Sequence, residues 1–271
     1  MPRLEIPTSS GSLLSLYQVD WASLYESILG ILGTTGTILP IGDQKHGQPN
    51  ATTFLTIGDQ QVTFTWSETP ATFDTKLDLT DPGSFQGIAP IVRLNGINEE
   101  ADSPDAAYWS RAAGAFSVGA WVNLVDATSS AILSKFTTVG DLREWRFILN
   151  ASDFLQLILS DENDAVTPNA TLDTASNAAI SQNVWVFLVA TYDGTANASG
   201  IDLYVDGAVV ASTDTDDVNF VSLRDTTSVV ELGDTENANF LDGTLAGGPI
   251  GPFFVQVQLT ADQVLRLYQV G

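Results

Sequence analysis

An all-β sandwich or jelly roll is what this 271-residue sequence predicts, on three observations. Ile201, Leu203 and Val205 alternate with Asp202, Tyr204 and Asp206, the period of two that a half-buried strand requires. The run NVWVFLVATYDG from Asn183 instead puts Val184, Val186 and Leu188 on one face and Trp185, Phe187 and Val189 on the other. A strand apolar on both faces belongs inside a sheet that is covered on both sides. Around these two runs, short apolar stretches recur at regular spacing between turn residues.

In chain order, residues 1–87 differ in texture from the rest and are expected to form an N-terminal arm. Trp21, Leu24, Tyr25, Ile28, Leu29 and Leu32 recur at helical spacing between a cap at Asp20 and a stop at Gly33, which predicts an amphipathic helix over 21–32. Its apolar face either packs on the chain's own β domain or is a docking surface for a protein partner or a second copy. Residues 51–66 read as a hairpin around Gly58-Asp59, with Phe54 and Phe64 as core or cross-strand residues. The Asp-, Thr-, Pro- and Gly-rich stretch 70–87 reads as a connector, so a domain boundary is placed at residue 88.

Residues 88–271 carry strand signals at 90–95, 115–124, 131–136, 145–149 and 154–160. The two central runs follow, then 208–212, 228–232 and 253–258. Asp206-Gly207 supplies the positive φ of a tight turn between the strand at 201 and the returning one at 208. Thr260 is placed to cap a short helix through Tyr268.

The motifs VRLNGINEEADSPDAAYWS, FSVGAWVNL, AILSKF, WRFILN, VWVFLVATYDG, IDLYVDG and VVELGD, followed by FLDGTLAG and LTADQVLRLY, resemble in this order the laminin G-like branch of the concanavalin A-like lectin and glucanase superfamily. The resemblance covers residues 88–271. It implies a two-sheet antiparallel jelly roll that serves as a binding or structural module, sometimes holding calcium and sometimes a sugar. The sequence departs from the family near its end, where Leu245-Ala246-Gly247 replaces the expected acidic residues and removes support for the family's rim calcium site.

Thirty-three acidic residues against ten basic ones give a formal charge of −23, which argues against nucleic-acid binding, since that needs a basic patch and the sequence shows none. No cysteine is present, so disulfides and thiolate metal sites are excluded. Neither a signal peptide nor a membrane span is expected, because the most apolar run, 28–41, is short and Gly-rich.

Paired carboxylates for glycoside hydrolysis would come from Glu231 and Glu236, but Glu231 and Asp234 are spaced to opposite faces of a strand, so no catalytic residue is assigned. The one histidine, His46, stands in a polar loop and supports no hydrolase. Hard cations want clustered oxygen ligands, which makes Asp161, Asn163 and Asp164, and Asp214, Asp216 and Asp217, the candidate calcium clusters. Sugar stacking would use outward aromatics, for which Trp109, Tyr192 and Tyr204 are the candidates, Tyr204 because it opposes the apolar face of its strand.

The functional expectation is a non-enzymatic structural or adhesion protein without a cofactor. Its concrete form is a virion surface or decoration protein whose jelly-roll head is fastened through the N-terminal arm. The alternative is an extracellular or cell-surface lectin-like module that binds a glycan, with or without calcium. A glucanase is the remote third.

Overall fold

The computed structural model describes residues 36–38, 52–54, 62–66, 72–74, 91–161, 170–236, 238–246 and 251–270. The predicted helix over 21–32, with all six of its docking residues, lies outside the described residues, as does the hairpin turn at Gly58-Asp59. The N-terminal strands are β1 (Gly36–Ile38), β2 (Thr52–Phe54), β3 (Val62–Trp66) and β4 (Thr72–Asp74). The main body begins with β5 (Ile91–Asn95), β6 (Ala101–Ser103), β7 (Phe116–Asp126), β8 (Ala131–Thr137), β9 (Leu142–Leu149), β10 (Phe154–Asp161) and β11 (Ala170–Ala179). It continues with β12 (Trp185–Tyr192), β13 (Ile201–Val205), β14 (Ala208–Val209), β15 (Ser212–Asp216), β16 (Val230–Leu232), β17 (Asp242–Ala246) and β18 (Phe253–Val255). It closes on the helix α1 (Ala261–Val270). No helix among the described residues is long and apolar enough to cross a membrane.

Two antiparallel sheets form the sandwich. The first runs β14-β13-β12-β7-β17-β5-β4, with β18 sharing an edge of β7 and carrying β1. The second runs β15-β11-β10-β9-β8-β16-β6-β3-β2. The predicted strand over 208–212 is two strands, because the chain leaves the first sheet after Val209 and joins the second at Ser212.

The described strands from residues 36–74 belong to these sheets. β2 and β3 form the predicted hairpin, and β3 pairs with β6, which places Phe64 and Trp66 in the main core. The stretch expected as a connector contains β4, which pairs with β5.

The central run behaves as its two-faced pattern requires. Val186, Leu188, Ala190 and Tyr192 enter the core between the sheets, while Phe187 and Val189 face out. A second cluster covers that outer face: Trp121, Phe253, Val255 and Leu259, and from α1 Val264 and Leu267, with Tyr268 packed against it. Thr260 caps α1 as expected. Its Oγ1 accepts from the Gln263 amide at 3.3 Å and its own amide donates to Gln263 Oε1 at 2.9 Å, a reciprocal capping box.

Gly119 lies mid-strand in β7, paired with Val189 on one side and Phe253 on the other. A Cβ there would stand 2.7 Å from the Phe253 ring and 2.8 Å from the Leu188 carbonyl. Gly119→Ala is therefore expected to lower stability by about 1–3 kcal/mol through overpacking, read as a lower denaturant midpoint.

Candidate functional site

On β16, Val230 and Leu232 point into the core, so Glu231 between them lies on the outer face of the second sheet. The same alternation puts Asp102 of β6 outward, beside the buried Ala101. Register then aligns one row across the sheet: Thr65, Asp102, Glu231, Ser134, Arg146, Ile158 and Asp173. Alternation along β8 puts Phe136 on the same face as Ser134, and the bulge opposite Lys135 and Phe136, where β9 carries the extra Glu144, brings Arg143 there beside Arg146. The guanidinium of Arg146 lies 4.4 Å and that of Arg143 5.8 Å from the Phe136 ring centroid.

A groove of about 590 Å³ opens over this region. Phe136, Leu142, Val139 and Val229 give it apolar surface, Thr137, Thr138 and Ser228 give hydroxyls, and Asp102, Glu231 and Glu236 give carboxyls. The chain reaches Glu236 because Gly233, at φ +84°, ends β16 in a turn. Glu236 then bonds Thr138 N and Thr137 Oγ1, and its own amide donates to Glu231 Oε1 at 3.0 Å.

Burial, and then the negative charge of Asp234, pushes the Glu231 carboxyl up to about 8. The geometry accommodates the extra proton: Oε2 lies 3.1 Å from Ser134 Oγ, which lies 3.2 Å from the Asp234 carbonyl. A protonated Glu231 donates to Ser134, and Ser134 donates onward. Burial also raises the Asp102 carboxyl, and it lowers the Arg146 guanidinium despite the opposing effect of Glu236 and Asp173. At neutral pH the groove therefore presents Glu231 as a neutral hydrogen-bonding acid.

The three aromatics expected to stack on a sugar are core residues instead. Trp109 and Tyr192 are buried among the aromatics between the sheets. Tyr204 does lie on the outer face of β13, as its alternation requires, but it belongs to the cluster that α1 covers and is only 3% exposed. Of the six expected calcium ligands, Asn163 and Asp164 lie outside the described residues. Asp161 accepts from the amides of Val221 at 2.7 Å and Ser222 at 3.1 Å. Asp214 accepts from Thr174, Asp216 from the Ala198 amide, and Asp217 from Asn219. These carboxylates hold loops in place, and among the described residues no group of three or more acidic or histidine side chains is arranged around a metal position.

Sequence reasoning had paired Glu231 with Glu236 but missed Asp102 and Phe136. The one sequence signal for Phe136 is an aromatic closing the predicted strand over 131–136.

The family model described as the concanavalin A-like lectin/glucanases superfamily matches residues 95–247. No curated protein matches the sequence. Among solved structures, the binding domain of Paraclostridial Mosquitocidal Protein 1 superposes with a TM-score of 0.55 at 13% identity, covering 81% of this chain and 52% of that one. The botulinum neurotoxin serotype D ligand binding domain in complex with N-acetylneuraminic acid gives 0.56 at 13% identity, covering 90% and 52%. The binding domain of botulinum neurotoxin DC in complex with SialylT gives 0.55 at 10%, covering 88% and 52%. The chain spans about half the length of these structures, and at such identities the likeness is one of fold.

Proposed function

Because the chain belongs to the concanavalin A-like lectin/glucanase superfamily, in its laminin G-like branch, we propose that it is a glycan-binding module whose site is the groove over β6, β16 and β8. The observation that carries this reading is the mixed lining of that groove. The exposed Val139 and Val229, beside a Phe136 that is itself largely buried, give an apolar patch that suits the C–H face of a sugar ring, and carboxyl and hydroxyl groups around it meet sugar hydroxyls. Among the described residues the lining holds carboxyl and hydroxyl groups and no lysine or arginine, so it offers hydrogen bonds to a neutral glycan and no cation to pair with an anionic sugar. Two of the superposed structures carry N-acetylneuraminic acid or SialylT, and these support sugar binding for the fold, not the same sugar for this chain.

A glycan array compares the natural protein with Val229→Arg, a substitution at a half-exposed position that fills the groove and leaves the fold nearly untouched. Val229→Arg is expected to weaken binding by about tenfold or more, equivalent to at least roughly 1.4 kcal/mol. Equal binding by both proteins would remove the groove from the reading.

Glycoside hydrolysis has one feature in its favour, the Glu231 carboxyl, raised by its burial, in the same groove as Glu236. Against it, Glu236 Oε1 is held by Thr137 and Thr138 and so is committed to the scaffold. Release of reducing ends from a polysaccharide, abolished by Glu231→Gln, would overturn the non-enzymatic reading.

Display of this head on a virion surface, fastened by the N-terminal segment, is the finer proposal. β1 at Gly36–Ile38 pairs with β18, so removal of the segment has to stop short of Gly36. Light scattering is expected to show an oligomer for the whole chain and a folded monomer once residues 1–33 are removed. Monomers in both cases would withdraw the fastening role.

A further inference from the structure

A buried charged cluster lies apart from the groove, and nothing in the glycan-binding reading uses it. Lys135 of β8 is fully buried, and its Nζ has two carboxyl groups within reach. Glu144 Oε1 is bonded directly to it, and Asp105 Oδ1 stands 3.1 Å away. The Thr226 carbonyl accepts from the same Nζ at 2.6 Å and fixes its direction. Glu144 is also fully buried, and its Oε1 takes further hydrogen bonds from the Thr226 amide at 2.6 Å, Thr226 Oγ1 at 2.9 Å and Ser110 Oγ at 3.1 Å. Its Oε2, equally buried, has no hydrogen-bond partner among the described residues. Asp105 differs from both, because its side chain keeps 32% of its exposure and so reaches the surface.

An amine clamped beside one carboxyl, with a second carboxyl bonded to the same nitrogen and holding a spare oxygen, is equipped for more than an ion pair. We propose that Lys135 and Asp105 condense to an intramolecular isopeptide bond, with Glu144 as the proton carrier. Nζ attacks Asp105 Cγ, so the Nζ–Cγ bond forms and one Cγ–O bond breaks. Of the three ammonium hydrogens, one stays as the amide N–H and two leave with the departing oxygen as water. Glu144 accepts one of these hydrogens from Nζ and delivers it to that oxygen, which leaves Glu144 as it began. No oxidant, metal or co-reactant enters the balance.

Three physical arguments favour the condensation. Enclosure holds the reacting groups in place of a bimolecular encounter, which raises their effective concentration by orders of magnitude. The Lys135 and Asp105 charges give way to a neutral amide, which ends the desolvation of the buried ammonium. The Glu144 carboxyl that remains keeps its hydrogen bonds from Thr226 and Ser110 and is pushed further toward its neutral form by the loss of the Lys135 charge. Burial raises the Glu144 carboxyl even against the Lys135 charge, the direction a group needs if it is to carry a proton near neutrality. The product ties β8 to the segment that follows β6, and it gives a chain without cysteine a covalent loop closure between residues 105 and 135.

The test is the intact mass of the folded full-length protein, followed by tandem mass spectrometry of its protease digest. A mass lower than the sequence mass by one water, with a branched peptide joining Lys135 to Asp105, is the expected result. Glu144→Gln is expected to restore the full sequence mass while circular dichroism still shows a folded β protein. If that variant does not fold, the branched peptide of the natural chain decides alone. A full sequence mass after days of incubation in the folded state overturns the proposal. So does a water loss traced to a cyclised Asp-Gly turn, or a cross-link that runs to Glu144 instead.

Discussion

Glu231→Gln is expected to make the protein more stable than the natural chain at alkaline pH and to leave the two nearly equal in mild acid. The cause is the burial that raises the Glu231 carboxyl from 4.5 to about 8, with the neighbouring Asp234 charge adding to it. Below the unfolded value both states are protonated and the group contributes nothing. Between the two values the folded protein keeps a proton that the unfolded chain releases, so stability falls as pH rises. Above the folded value the penalty is complete. At about 1.4 kcal/mol per pKa unit, it amounts to roughly 4–5 kcal/mol. Asp102, raised chiefly by its own burial, acts in the same direction. Glutamine cannot ionise, yet its carbonyl still accepts from the Glu236 amide and its NH₂ group reaches Ser134, where a protonated glutamate also donates. Urea midpoints at about pH 5 and pH 9 measure the effect. Parallel pH profiles for the two proteins would show that Glu231 is ionised in the fold.

Phe254→Ala is expected to cost about 3–5 kcal/mol, a large part of the 5–15 kcal/mol that holds a typical domain together. Phe254 is fully buried, and its ring stacks on Trp145 at 5.1 Å and on Phe116 at 5.2 Å. Tyr108 and Trp109 meet it edge-on at 5.7 Å and 5.3 Å. It sits on β18, a strand of three residues that spans two layers: Phe254 anchors the core between the sheets, while Phe253 and Val255 support the cluster under α1. Truncating the anchor opens a cavity among four aromatic rings and loosens the short strand that carries β1. A fall in denaturant midpoint, with altered near-ultraviolet circular dichroism from Trp109 and Trp145, is the readout. A loss below about 1 kcal/mol would mean that the site collapses around the missing ring.

Strong local patterns were legible in the sequence. β12 and β13 declare themselves because apolar side chains fill all but one position of the first, Thr191, and every second position of the other. α1 announced itself through the Thr260 and Gln263 cap. β11 was not legible, since its inward positions include Ala170, Thr174 and Ser176, small or polar residues that leave almost no hydrophobic period. The misplaced Tyr204 shows a second limit. Alternation tells which face of a strand a side chain takes, but the covering of that face by α1 is a tertiary fact.

The groove was legible only in part, for a reason of topology. Glu231 and Glu236 are near in sequence, and the strand spacing that sets Glu231 and Asp234 on opposite faces does not reach Glu236, because β16 ends at Leu232 and the chain turns at Gly233. Asp102 and Phe136 are distant in the chain and meet Glu231 because β6 and β8 flank β16 in the sheet. A sequence spacing carries no information about that strand order.

The most direct test of a glycan site on the second sheet is a chemical-shift titration of the isotope-labelled protein with the neutral glycan that ranks highest on the array. Perturbations centred on Phe136, Thr138, Val229 and Glu236 are the predicted result. Perturbations confined to the first sheet and α1, with the groove resonances unmoved, would contradict it.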